Sequence, residues 1–89
     1  MHKKIVRFIS KDCAGCIKLI ETFQRIEIKS PTEISDCLLH FDNKSKFLQH
    51  EVEGVPVVIM FDSSGNEIKR LIGGDHSVEE LENWVNNTN

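Results

Sequence analysis

The chain has 89 residues, 39% apolar and 28% charged, with a formal net charge of −3. That length makes one domain, residues 1–89, with a modest core, and the acidic balance argues against a dedicated nucleic-acid binder. Three cysteines do not suit a secreted disulfide scaffold, no apolar run approaches the ~18 residues of a membrane span, and the basic flank Met1-His2-Lys3-Lys4-Ile5 opens only a five-residue run that Arg7 interrupts, which is no secretory signal, so a cytoplasmic setting is expected.

Residues 5–9, Ile-Val-Arg-Phe-Ile, are β-branched and aromatic and are closed by Ser10-Lys11-Asp12, which predicts a mostly buried strand. Cys13-Ala14-Gly15-Cys16 follows at once. Cys16, Leu19, Ile20, Phe23 and Ile26 then fall at helical spacing, so a helix is expected over residues 13–29, ended by Ser30-Pro31. Residues 38–41 read as a second strand, with Asp42 or Asn43 capping a short helix through Phe47 and Leu48. A rival reading makes Ser30-Pro31-Thr32-Glu33 a capping box and puts Ile34, Cys37, Leu38 and Phe41 on one helical stripe.

Val57-Val58-Ile59-Met60-Phe61, after Gly54-Val55-Pro56, predicts a buried strand. Asp62-Ser63-Ser64-Gly65-Asn66 is turn chemistry, and residues 67–72 read as the returning strand of a hairpin. Gly73-Gly74 breaks it. Ser77-Val78-Glu79-Glu80 is a capping box, and Val78, Leu81, Trp84 and Val85 form the apolar face of a last helix, with a frayed tail over residues 86–89. The order β-α-β-α-β-β-α implies an α/β protein: a four-stranded mixed sheet flanked by three helices.

Two cysteines separated by two residues at a helix start meet the needs of thiol–disulfide exchange. One thiolate attacks, and a second thiol lies close enough to release the mixed disulfide. The helix N-terminus offers unpaired N–H groups and the positive end of the dipole, which draw a thiol from about 8.5 toward 7 or below. Cys16 shares a helical face with Leu19, Ile20 and Phe23 and should point into the core. Cys13 should meet the substrate. Residues 1–30 carry seven Lys/Arg against three Asp/Glu, and Lys11 and Lys18 should favour the thiolate while Asp12 opposes it. A zinc site built from Cys13-x-x-Cys16 and Cys37-x-x-His40 has suitable spacing, but requires helix rather than strand at residues 37–40. Metal is therefore not expected.

The pattern resembles the thioredoxin/glutaredoxin superfamily over residues 4–86, as a small thioredoxin-like protein. The anchors are the Cys13–Cys16 motif after a strand, Gly54-Val55-Pro56 about forty residues later, and the Gly73-Gly74 break. The resemblance implies a thioredoxin-like fold and a protein disulfide reductase with Cys13 as nucleophile and Cys16 as resolving thiol. It also implies a cis Val55–Pro56 bond beside them, with Val55, Pro56, Gly73 and Gly74 lining the substrate site. No cofactor beyond the Cys13–Cys16 dithiol is implied. The partners would be disulfide-containing proteins, with thioredoxin reductase or glutathione as reductant and the chain acting as a monomer.

The chain departs from thioredoxins in having Asp12 for the usual Trp, Ala14-Gly15 for Gly-Pro, and Arg7 for a buried acid. Against glutaredoxins, Lys11 and Gly73-Gly74-Asp75 match parts of the glutathione clamp, whereas Gly54 replaces a threonine and His76 and Ser77 replace its last acids. A glutathione-dependent reductase and a redox-inactive binding module on the same fold are the alternatives. Cys37 reads as a small buried hydrophobe. His40, His50 and His76 read as surface or strand residues, with His76 near enough to the site to tune Cys13, and Trp84 reads as core.

Overall fold

A computed structural model describes residues 3–87. Met1, His2, Thr88 and Asn89 lie outside the described residues, and with them the start of the basic N-terminal segment and the end of the tail. The elements are β1 (Lys3–Ile9), α1 (Ala14–Phe23), β2 (Thr32–Leu38), a 3₁₀ turn (Phe41–Asn43), α2 (Lys44–Gln49), β3 (Val57–Phe61), β4 (Glu67–Ile72) and α3 (Val78–Asn86). They form one four-stranded sheet in the order β2-β1-β3-β4. β1 and β2 are parallel, and the other pairs are antiparallel. The expected order of elements and the mixed sheet are both present.

The sheet is apolar on both faces because side chains alternate along each strand. Ile5, Val58 and Met60 pack on one face against Leu19 and Phe23 of α1 and Leu81 and Val85 of α3. Phe8, Val57, Ile59 and Phe61 pack on the other with Cys37, Phe47 of α2 and Val52. β3 is central and covered on both faces, so all five of its residues are buried and read as a continuous apolar run. Among the described residues, no helix is long and apolar enough to cross a membrane.

Three expected boundaries are corrected. The first helix ends at Phe23, not near residue 29. Beyond it the backbone is captured by α3: Glu27 N–H donates to Glu82 Oε2 at 2.7 Å, Lys29 N–H to Asn86 Oδ1 at 3.0 Å, and Asn86 Nδ2 donates to Glu27 O at 2.8 Å. These long-range bonds replace the next helical turns while Ile26 still reaches the core. Asn86, expected to fray, is held by the same contacts.

The second strand is Thr32–Leu38, upstream of the expected 38–41, and the rival helix over that stretch is not formed. Its register on β1 sets Lys4 opposite Glu33 and Arg7 opposite Asp36. Arg7 grips the Asp36 carboxylate through Nε at 2.5 Å and Nη2 at 3.0 Å, and Lys4 Nζ lies 3.9 Å from Glu33 Oε2. Opposite charges across the pair favour this register.

Neither Asp42 nor Asn43 caps the following helix through its side chain. His40 Nδ1 instead accepts from Asp42 N–H at 3.2 Å, and Asn43 Nδ2 donates to Leu38 O at 2.8 Å. His50, read as a surface or strand residue, sits between Phe8 and Phe61, with ring centroids at 5.8 and 5.2 Å. The Asp62–Asn66 turn forms as expected: Asp62 Oδ1 accepts from Ser64 N–H and Asn66 N–H at 2.9 Å each. Chiefly through the Asn66 N–H, these bonds hold the Asp62 carboxyl below its ordinary range.

Candidate active site

Cys13 and Cys16 are joined as a disulfide, their Cα atoms 5.2 Å apart. Cys13 is the N-cap of α1, with extended backbone, and its Sγ accepts from the Cys16 N–H at 3.0 Å. Sulfur thus stands where Ser or Asp would normally satisfy one of the unpaired N–H groups of a helix start. The two thiols are not equivalent. Cys16 is 1% exposed, on the face of α1 that carries Leu19 and Phe23, whereas Cys13 keeps part of its surface.

Two further segments meet this loop. Its neighbour on the sheet is the start of β3, where the Val55–Pro56 bond is cis. A β-carbon at Gly15 would lie 3.5 Å from Pro56 Cδ, an ordinary van der Waals contact, so the proline ring lies against the loop. The second segment is the β4–α3 connection. Gly73, at φ 88°, donates its N–H to the Pro56 carbonyl at 2.9 Å. A β-carbon at Gly74 would fall 2.7 Å from the Gly15 carbonyl carbon and 2.9 Å from its Cα, so only glycine fits there. Cys13, Cys16, Val55, Pro56, Gly73 and Gly74 therefore come together at one end of the sheet. A groove of ≈ 310 Å³ extends away from Val55, Pro56 and Gly73 and is lined also by Ile72, Glu51, Glu53 and Arg70, and neither cysteine of the pair lines it.

The charges are arranged differently from the sequence reading. Lys11 is exposed in the turn before Cys13. Lys18 is committed to Asp75, Nζ to Oδ1 at 2.5 Å, and clasps α1 to the β4–α3 connection. That lysine holds the Asp75 carboxyl below its ordinary range. Arg7, in the position where thioredoxins bury an acid, is turned to Asp36 and lies over the Phe23 ring at 5.0 Å.

His76 was legible only as a neighbour of the site. It bonds Glu80 and the Ile72 carbonyl, and the His76-x-x-x-Glu80 spacing, from just before the Ser77 cap into the first turn of α3, was the available signal. Ser77 Oγ caps α3 by accepting from Glu80 N–H at 3.0 Å, but the Glu80 carboxylate turns to His76. The reciprocal half of the expected capping box is thus replaced.

Cys37 is a buried free thiol on β2, on the sheet face opposite α1, and burial pushes its pKa up against the lowering influence of Lys46. The sheet separates it from Cys16, so the four-ligand arrangement weighed from the sequence is not assembled. Among the described residues no cluster of three or more His, Cys, Asp or Glu is placed to hold a metal ion. A larger depression of ≈ 660 Å³ lies on the α2 side, lined in part by Phe8, Cys37, Lys46 and His50, and neither cysteine of the pair lines it.

No protein-family model and no curated protein matches the sequence. Solved structures do match in fold. The chain is similar to Trxlp from Edwardsiella tarda, with a TM-score of 0.80 and 18% identity over 96% of this chain and 82% of that one. It is similar to a mutant thioredoxin from Halobacterium salinarum, with a TM-score of 0.76 and 16% identity over 93% and 71%. It is also similar to StoA from Bacillus subtilis, with a TM-score of 0.75 and 15% identity over 93% and 81%. The fold is thioredoxin-like.

Proposed function

We propose that this protein is a thiol–disulfide oxidoreductase that reduces protein disulfides, with Cys13 as the attacking thiol and Cys16 as the resolving one. The observation that carries the reading is the asymmetry of the pair: a partly exposed sulfur at the tip of α1, bonded to a helix N–H, above a partner that is 1% exposed. Helix N–H groups aimed at a sulfur favour its thiolate. In the forward direction the Cys13 thiolate attacks a substrate disulfide, the substrate S–S bond breaks, and one substrate sulfur leaves as thiolate. Cys16, losing its proton, then attacks the Cys13 sulfur, expels the second substrate thiolate and closes the intramolecular disulfide. Two electrons have passed to the substrate.

Val55, Pro56, Gly73 and Gly74 would line the path of the substrate, with the backbone of Val55 offered to an extended segment as a strand addition. Exposed Ile17 and Ile72 would supply apolar contact. The reductant that restores the dithiol would be thioredoxin reductase or glutathione, and the reducing cytoplasm is the compartment in which such a pair acts as a reductant. Protein disulfides are favoured over glutathione as the oxidised substrate because His76 and Ser77 stand where a glutathione clamp carries acids and Gly54 where it carries a threonine.

The test is reduction of a protein disulfide by wild type, Cys13→Ser and Cys16→Ser. Cys13→Ser should abolish turnover, and Cys16→Ser should accumulate a mixed disulfide through Cys13. Retention of full activity by both variants would refute the assignment.

A further inference from the structure

One side chain ties down the wall of the site formed by the β4–α3 connection. The His76 side chain is 14% exposed. Its Nδ1 lies 2.9 Å from Glu80 Oε2 and its Nε2 lies 3.1 Å from the Ile72 carbonyl oxygen. Carboxylate and carbonyl oxygens only accept hydrogen bonds, and a neutral imidazole has a single N–H to give. Both bonds can exist together only when both ring nitrogens carry protons.

We infer that His76, as an imidazolium, is a positioning residue that fixes the Gly73–Gly74 segment against Gly15 and Pro56, so that substrate engagement beside Cys13 depends on its protonation. The functional half of this inference rests on the oxidoreductase reading; the structural half does not. The contacts run in sequence. His76 holds the carbonyl of Ile72, the next residue donates its N–H to Pro56 O, and the one after lies on the Gly15 backbone. Removing one proton from the ring frees either Ile72 or Glu80 and slackens the first link.

The charged groups around the ring are Glu80 of α3, Asp75 in the connection itself, and Lys18 of α1, which is bound to Asp75. Burial disfavours the imidazolium, but the bonds to Glu80, Ile72 and Gly73 outweigh it and hold the His76 pKa above its ordinary value. A raised folded-state pKa means the clamp is complete at low pH and is lost as pH rises through that pKa.

The experiment is a histidine-ring NMR titration with amide hydrogen exchange on the full chain, for wild type, His76→Asn and Glu80→Gln. In wild type the His76 ring should titrate above an ordinary histidine, and in Glu80→Gln lower. Protection of the Gly73 N–H, corrected for intrinsic exchange, should fall about tenfold as pH passes the His76 pKa, the size expected for one charge-assisted hydrogen bond. In His76→Asn it should be low at every pH. A ring that titrates at or below the ordinary value, or Gly73 protection that ignores the titration, overturns the inference.

The second arm is the ratio of His76→Asn to wild-type rates for a peptide disulfide across pH, each rate divided by the Cys13 thiolate fraction that alkylation gives for that variant at that pH. The ratio should lie below one at low pH and approach one above the His76 pKa. A flat ratio overturns the functional half. If wild type reduces no disulfide at any pH, the oxidoreductase reading fails, and the exchange data still decide whether His76 positions the segment.

Discussion

Gly74 lies so close to Gly15 that the two backbones leave no room for a single β-carbon between them. This contact joins the β4–α3 connection to the middle of the Cys13–Cys16 loop, segments nearly sixty residues apart in the chain. The colliding atoms are main chain, so no rotamer change can relieve an added methyl group.

Gly74→Ala should therefore displace the loop itself. The expected loss of stability is about 1–3 kcal/mol, the range for overpacking a tight contact, together with slowed disulfide reduction. Gly54→Ala is the stability control, since nothing lies within 4 Å of a β-carbon there. It should stay within about 0.5 kcal/mol of wild type. Urea melts of both variants would decide the matter, and an unperturbed Gly74→Ala would contradict the geometry.

The three thiols should separate cleanly once the disulfide is reduced. Cys13 combines a helix N-terminus with exposure, while burial raises the pKa of Cys37 and leaves it in the apolar cluster of Phe8 and Phe47. Alkylation near neutral pH followed by peptide mapping should modify Cys13 first and Cys37 only on unfolding. Early labelling of Cys37 would contradict its burial, and a Cys13 no faster than a free thiol would favour a binding module with idle thiols.

Arg7 and Asp36 form a two-pronged ion pair between β1 and β2, with the arginine side chain 15% exposed and the aspartate 40%. The geometry favours a real contribution, and the exposure of the carboxylate limits it. A double-mutant cycle with Arg7→Met and Asp36→Asn should give a coupling of about 0.5–1.5 kcal/mol. Coupling indistinguishable from zero would mean that the Arg7–Asp36 pair does not help to hold the edge strand in register.

Lys3 is a buried cation, 1% exposed, whose Nζ donates to the Val85 carbonyl at 2.8 Å, and Lys69 Nζ donates to the Asn87 carbonyl. Both meet the negative end of α3, where the last carbonyls have no helical partner. Lys3→Met keeps the apolar stem and removes the donor, and should cost about 1–3 kcal/mol in a urea melt. Burial, and then the charge of Lys3, hold the Lys69 pKa below the ordinary lysine value. NMR should therefore find Lys69 titrating higher in Lys3→Met, and an unchanged Lys69 would show that the two ammonium groups do not sense one another.

Most of the fold was readable wherever burial imposes a period. β3 is covered on both faces and is apolar throughout, and α1 and α3 carry apolar stripes at helical spacing. β2 escaped because an edge strand needs little apolar patterning. Only Cys37 of its seven residues is buried, and its position comes from charge partners on β1 rather than from a local signal. The over-long first helix had a similar cause. Ile26 keeps the helical interval, yet the backbones of Glu27 and Lys29 bond to Glu82 and Asn86, which no local rule could anticipate.

Within the site, the cysteine spacing, the Val55-Pro56 step and the paired glycines were all visible as residues, because each answers a local need: two sulfurs on one turn, a proline at a strand start, a backbone with φ near +88°. What each touches was not visible. That Lys18 is taken up by Asp75, that Arg7 turns to β2, and that His76 reaches both Glu80 and the Ile72 carbonyl depend on the sheet order β2-β1-β3-β4. The amino-acid sequence alone determined the periodicities, the Ser77 cap of α3 and the chemistry available, since those act over a few bonds. The tertiary structure decided which charges are spent on one another and which glycine must remain a glycine, since those depend on distances set by chain segments far apart in sequence.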